Sequence, residues 1–161
     1  MIPKRIQPFI KSINKKSGGT NTLIEGTLAC CNSSNFEISV VGRIQRTMFS
    51  RLLISPEKGR IILQARCKQC GRIILVFDSD IDGYNACGQL KNRELSLLRA
   101  DCSKCVDNNY SVTIKYEYPE AQELVELGDS DVENLFTWIW ISLVCNSCGK
   151  RHVDFVDYET A

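Results

Sequence analysis

Residues 136–155, FTWIWISLVCNSCGKRHVDF, hold most of what decides the fold. On an extended chain Phe136, Trp138, Trp140 and Val144 fall on one side, and Ile139, Ile141 and Leu143 on the other. A strand that is apolar on both faces belongs in the interior of a sheet. It runs straight into Cys145-Asn-Ser-Cys148-Gly149-Lys150 and then into a second stretch of strand character. A two-residue gap lets both thiolates of a tight turn face one ion, and two such turns supply the four sulfurs of a closed tetrahedral site. The segment therefore predicts a strand, a metal-binding turn and a returning strand.

Working outward, Cys102-Ser-Lys-Cys105 provides the matching turn, so Cys102, Cys105, Cys145 and Cys148 are expected to form one complete site. Cys67-Lys-Gln-Cys70 provides half of another. Its surroundings repeat those of the later turn: Cys67, Cys70, Gly71, Arg72 and Phe77 align without gaps on Cys145, Cys148, Gly149, Lys150 and Phe155, 78 residues on. Upstream, Leu23-Ile24, Cys31 and Asn35-Phe36 align on Leu97-Leu98, Cys105 and Asn109-Tyr110, 74 residues on. The pattern predicts an internal duplication. In this alignment Leu28 stands where Cys102 should have its counterpart. The first site is therefore read as Cys30, Cys31, Cys67 and Cys70, with Cys87 as the alternative ligand, and two zinc ions are expected per chain.

Paired Cys-x-x-Cys turns, the second followed by Gly and a basic residue and separated by strands, resemble the zinc-ribbon superfamily. The resemblance covers about residues 22–79 and 96–158. It implies a mostly β protein made of two zinc-ribbon-like β units, with structural zinc and one or two short helices. A Cys-x-x-Cys turn followed by Gly also resembles rubredoxin, which would put redox iron in the same cage and make the protein an electron carrier. The corresponding division is a basic N-terminal arm (1–21), a first repeat (22–85), a connection (86–95) and a second repeat with an acidic insertion (96–161).

Alternation predicts further strands. Val112, Ile114, Tyr116 and Tyr118 share one face of a half-buried strand, and Phe36 to Val41, Arg60 to Arg66, Arg72 to Phe77 and Arg43 to Ile54 read similarly. Pro119, with Glu120, Glu123, Leu124, Leu127 and Gly128 after it, predicts a short helix. Ser130 to Glu133 has the form of a capping box. Ile6, Phe9, Ile10 and Ile13 have helical spacing that competes with a frayed tail, in which residues 17–21 form a linker.

Catalysis finds little to work with. There is one histidine, His152, four residues after Cys148 and expected to lie at the surface or partly packed. No phosphate-binding loop, nucleophile elbow or His-Glu-x-x-His motif is present. Asp78, Asp80, Asp82 and Gly83 have the spacing that opens an EF-hand loop, but the twelfth position is Gln89, so a solvated turn is expected. The chain reads as non-catalytic, with no small-molecule substrate.

The formal charge is +1, yet it is unevenly placed. Residues 1–72 hold 13 basic and 3 acidic residues, and residues 73–161 hold 7 and 16. One reading makes Arg43, Arg46, Arg51, Arg60, Arg66, Lys68 and Arg72 a surface for nucleic acid. The other makes the protein an interaction or assembly adaptor, in which opposite charges meet a partner protein or a second copy. Trp138 and Trp140 are expected in the core rather than on a binding platform. The longest nearly unbroken apolar run, Leu135 to Cys145, is far short of the roughly 20 residues of a membrane-spanning helix. No secretory signal is read at the N-terminus, and a reducing, cytoplasmic setting is expected, in which thiols serve metals rather than disulfides.

Overall fold

The structure, a computed structural model, describes residues 1–83, 95–126, 128 and 131–160. The fold is mostly β. In chain order the strands are β1 Ile10–Gly18, β2 Asn21–Leu28, β3 Phe36–Val41, β4 Arg43–Arg46, β5 Leu52–Ser55, β6 Ile62–Cys67, β7 Ile73–Asp78, β8 Leu98–Arg99, β9 Tyr110–Tyr118, β10 Trp138–Cys145 and β11 Arg151–Glu159. One helix, α1 Ala121–Glu126, follows Pro119, and single 3-10 turns form at Gln7–Phe9 and Val132–Asn134. Leu127 and Ser130, expected in the helix and its neighbouring cap, lie outside the described residues, as do Cys87 and Gln89. Among the described residues no helix is long and apolar enough to cross a membrane.

Among the described residues nine strands make one sheet and β4–β5 a separate hairpin. Two antiparallel meanders, β3-β6-β7 and β9-β10-β11, meet where Phe36 pairs with Tyr110. Each meander is then extended by a strand from the other half of the chain. β2 adds to β9, pairing Thr27 with Thr113, and β8 adds to β3, pairing Ser39 with Arg99. The halves are thus interlocked through shared strands. Asn108, buried at this junction, accepts a hydrogen bond from Ile38 N through Oδ1 (2.7 Å) and donates one from Nδ2 to Ile38 O (2.9 Å), so its side chain continues the ladder where no strand reaches.

Alternation in β9 works as the pattern requires: Tyr110, Val112, Ile114, Tyr116 and Tyr118 are buried and the residues between them are half-buried. They join Phe36, Ile38, Val40, Leu63, Ala65, Phe77, Ile139, Ile141, Leu143 and Phe155 in a single core. β10 lies between β9 and β11, as its composition predicts, but only Ile139, Ile141, Leu143 and Cys145 face the core. Trp138 and Trp140 are on the opposite face, half-buried and stacked on each other (5.6 Å between centroids, 12° between planes), which corrects the expectation of core packing. Lys115 caps Trp140 at 4.2 Å, and Trp138 Nε1 donates to Asp157 Oδ1 at 2.6 Å.

Three further expectations change. Residues 10–18, read as part of an arm, form β1 and pair with β2 through a tight turn at Gly19, so 17–21 is a hairpin rather than a linker. Ile6 and Ile10 are buried, which anchors this segment to the core. Residues 43–54 form two strands with a turn between them, because Thr47 N bonds Arg51 O and the chain reverses there. The acidic loop at 78–82 is a clamp for arginines: Asp78 holds Arg60 in a bidentate pair (3.0 and 2.6 Å) and Asp82 holds Arg5 (2.7 Å).

Candidate metal centres

Each cysteine turn is set by its backbone. At Cys67, Cys102 and Cys145 the first cysteine's N–H donates to the carbonyl of the residue two beyond the second cysteine, at Arg72, Asp107 and Lys150. Its carbonyl accepts from the residue just after the second cysteine, at Gly71, Val106 and Gly149. That residue must be left-handed, with φ of +74°, +64° and +74°. Glycine suits the position twice, and Val106 adopts it against the usual preference of a branched residue.

The fourth turn is shorter. Cys30 and Ser33 exchange both backbone hydrogen bonds (2.9 and 2.8 Å), and the two residues between them, Cys31 and Asn32, both have positive φ, +53° and +58°. This is the conformation of a two-residue type I′ hairpin turn, in which asparagine is favoured. Its four residues replace the six from Cys102 to Asp107. The alignment that set Leu28 against Cys102 is therefore corrected: upstream of the turn the offset is 72 residues rather than 74, which places Cys30 at Cys102 and Leu28 at Ala100. Burial agrees, since Cys30 and Cys102 are both buried, as are Leu28 and Ala100. The sheet agrees as well. The β2–β9 register lies two residues from the one that a uniform offset of 74 would copy from the β8–β3 pair.

These turns gather the sulfurs. Cys102, Cys105, Cys145 and Cys148 have Sγ atoms all within 4.8 Å of one another, with Cys102–Cys148 at 3.6 Å and Cys105–Cys145 at 3.5 Å. Thiolates bound tetrahedrally to zinc at about 2.3 Å stand about 3.8 Å apart, so the donor set fits a single soft divalent ion. At the first site Cys30, Cys31 and Cys70 lie within 4.8 Å, with Cys30 at 3.8 Å from Cys31 and 3.6 Å from Cys70. Cys67, wholly buried at the base of the same turn, directs its thiol to the Cys30 carbonyl at 3.7 Å. Burial, then the neighbouring Cys70 and Cys31 thiols, pushes the Cys30 thiol up to about 12. The Arg72 backbone N–H, followed by Cys31, holds Cys70 down at about 7. Cys70 therefore ionises more readily than Cys30, whose proton a bound metal would have to displace.

His152 adjoins the second cysteine cluster, a placement that its sequence position concealed. It is fully buried, contrary to expectation. Its Nδ1 accepts from Leu52 N–H at 3.0 Å, which leaves the proton on Nε2, and Nε2 lies 3.6 Å from Cys102 Sγ. Burial, with Lys150 nearby, lowers its pKa below the usual value and favours this neutral form. The Cys102 sulfur is thus tied through one imidazole to β5 of the other half. Such outer contacts are typically worth 10- to 100-fold in metal affinity. His152→Ala is expected to weaken zinc binding at this site by about that factor, read by competition with a chromophoric chelator, and unchanged affinity would remove His152 from the site.

The basic residues do not form one patch. Arg60 is committed to Asp78, and this corrects its inclusion in a nucleic-acid surface. Arg43, Arg46, Arg66, Lys68 and Arg72 are exposed and Arg51 is half-buried. Arg72 lies against Phe9 beside the first site (5.8 Å), whereas Arg46 hydrogen-bonds the Ser103 carbonyl at the second. No protein-family model, curated protein or solved structure matches the chain.

Proposed function

We propose that the protein is a non-catalytic binding module, held together by two structural zinc ions in a reducing compartment, that presents exposed basic residues to nucleic acid. The observation that carries the zinc reading is the set of four thiols at the second site, within 4.8 Å of one another. Four sulfurs leave no coordination position for the water that a hydrolytic centre needs. The equivalent turns and their matching hydrogen bonds support descent of the halves from one duplicated ribbon unit. The nucleic-acid reading is supported by the exposed cations on the first half. A protein partner is the second reading, favoured by the half-exposed Trp138–Trp140 stack with Glu117, Asp157 and Glu159 around it.

Elemental mass spectrometry on protein purified without added metal is expected to find two zincs per chain. One zinc would confine the metal to a single site, and iron would turn the reading to electron transfer. Retention on generic oligonucleotides that falls with salt is the second expected result. No binding at low salt would end the nucleic-acid reading and leave the protein partner.

A further inference from the structure

Between β4 and β5 the chain turns through Thr47-Met48-Phe49-Ser50-Arg51, and Met48 and Phe49 are 94% and 82% exposed. They are the two most exposed large apolar side chains among the described residues. The turn is nevertheless well anchored. Within it Thr47 N bonds Arg51 O (2.8 Å) and Ser50 N bonds Thr47 O (3.0 Å). From the second metal centre, Lys150 Nζ donates to Phe49 O (2.6 Å) and Ser103 Oγ to Ser50 O, while Arg46 reaches back to Ser103 O. Leu52, one residue past the turn, bonds His152, which touches Cys102. Two apolar side chains are therefore displayed on a backbone tied to both cysteine turns of the second site.

The segments that form and anchor the tip are rich in cations. Arg46, Arg51, Lys104, Lys150 and Arg151 come from three segments, 43–55, 102–106 and 146–151, that contain no acidic residue. A four-thiolate zinc site carries about −2, and Asp107, whose Oδ2 accepts from Ser147 Oγ at the same turns, adds one more negative charge; the five cations exceed this total. An exposed ring on a cation-rich tip matches an anionic polymer that also offers flat unpaired rings. Duplex bases are already stacked, so one protruding ring gains a partner only from an unpaired strand.

Resting on the nucleic-acid reading above, we propose that this tip is the contact point for single-stranded nucleic acid. Phe49 stacks on one base, Met48 covers its edge, and Arg46, Arg51 and Lys104 face the adjoining phosphates. Lys150 holds the tip in place through the Phe49 carbonyl.

The test is fluorescence anisotropy of zinc-loaded full-length protein with labelled oligo-dT and oligo-U of about 12 nucleotides across a salt series. Phe49→Ala is expected to weaken binding about 5- to 150-fold, the weight of one base–ring stack, with an unchanged salt slope. Phe49→Trp is expected to restore it. Lys104→Ala is expected to reduce the salt slope by about 0.7. Because Phe49 is exposed, melting temperature and circular dichroism should be unaltered in these variants. If Phe49→Ala binds like the parent while reversing the exposed arginines abolishes binding, the tip proposal falls and the nucleic-acid reading stands. If the parent binds no oligonucleotide at low salt, both fall. If Phe49→Ala keeps oligonucleotide binding but loses association with anionic vesicles or with its own copies, the tip serves a lipid or a second chain, and the proposal is likewise overturned.

Discussion

Stripping metal from the reduced protein is expected to unfold most of the sheet. Cys30, Cys67, Cys102 and Cys145 belong to the same buried cluster as Phe36, Tyr110 and Ile141, so the sites are part of the core rather than attachments to it. Binding free energy at a structural zinc site is folding free energy, on the order of 10 kcal/mol or more. A domain of ordinary stability has about 5–15 kcal/mol in total. Loss of even one ion therefore removes an amount comparable with the whole. The interlocked strands spread the damage: the second site anchors β8, β9, β10 and β11, and β9 carries β2 on its other edge. Far-ultraviolet circular dichroism during titration with a tight chelator is expected to show one loss of sheet signal across both halves. A fully stripped protein that kept its spectrum and melting temperature would refute the structural role of the metal.

Arg60→Ala is expected to cost about 3–5 kcal/mol, the penalty for leaving a buried charge without its partner. Arg60 grips both oxygens of Asp78 and lies 3.4 Å from Asp80, and the Asp78 side chain is only 3% exposed. Asp78 is also the hub of its loop. Its backbone N–H donates to Asp82 Oδ2 (2.8 Å), its Oδ1 accepts from Asp80 N (3.0 Å), and Asp82 in turn binds Arg5. Removing Arg60 therefore disturbs the contact that joins the N-terminal segment to the end of β7. Arg43→Ala, at an exposed position, is expected to change stability by less than about 0.5 kcal/mol. The comparison is made by urea denaturation with metal bound. Equal midpoints for the two variants would show that the pair contributes nothing.

The cysteine turns were legible because their information is local. A Cys-x-x-Cys-Gly sequence contains both the sulfur spacing and the residue that tolerates the left-handed conformation after the second cysteine. The alternation of β9 was legible for the same reason, since a strand's period is two whatever it pairs with. Arg60 illustrates the opposite case. As one of eight basic residues between Arg43 and Arg72 it read as surface charge, and only the approach of Asp78, 18 residues later, shows that it is neutralised. Trp138 and Trp140 were misplaced because β10 is apolar on both faces, so its pattern does not say which face turns inward.

Taken alone, the sequence determined the strand-rich class and the three Cys-x-x-Cys turns, each of which arises within about ten residues of chain, and it offered two of those turns, 40 residues apart, as one four-sulfur set. The tertiary structure alone decided that Cys30 and Cys102 are the buried first cysteines of their turns, that β2 and β8 cross between the halves, and that His152 joins the Cys102 thiol to the β4–β5 hairpin. These depend on register between segments about 60 to 100 residues apart. A turn shortened by two residues keeps every side chain on its face, so local periodicity passes over it, and only backbone pairing across the sheet reveals the shift.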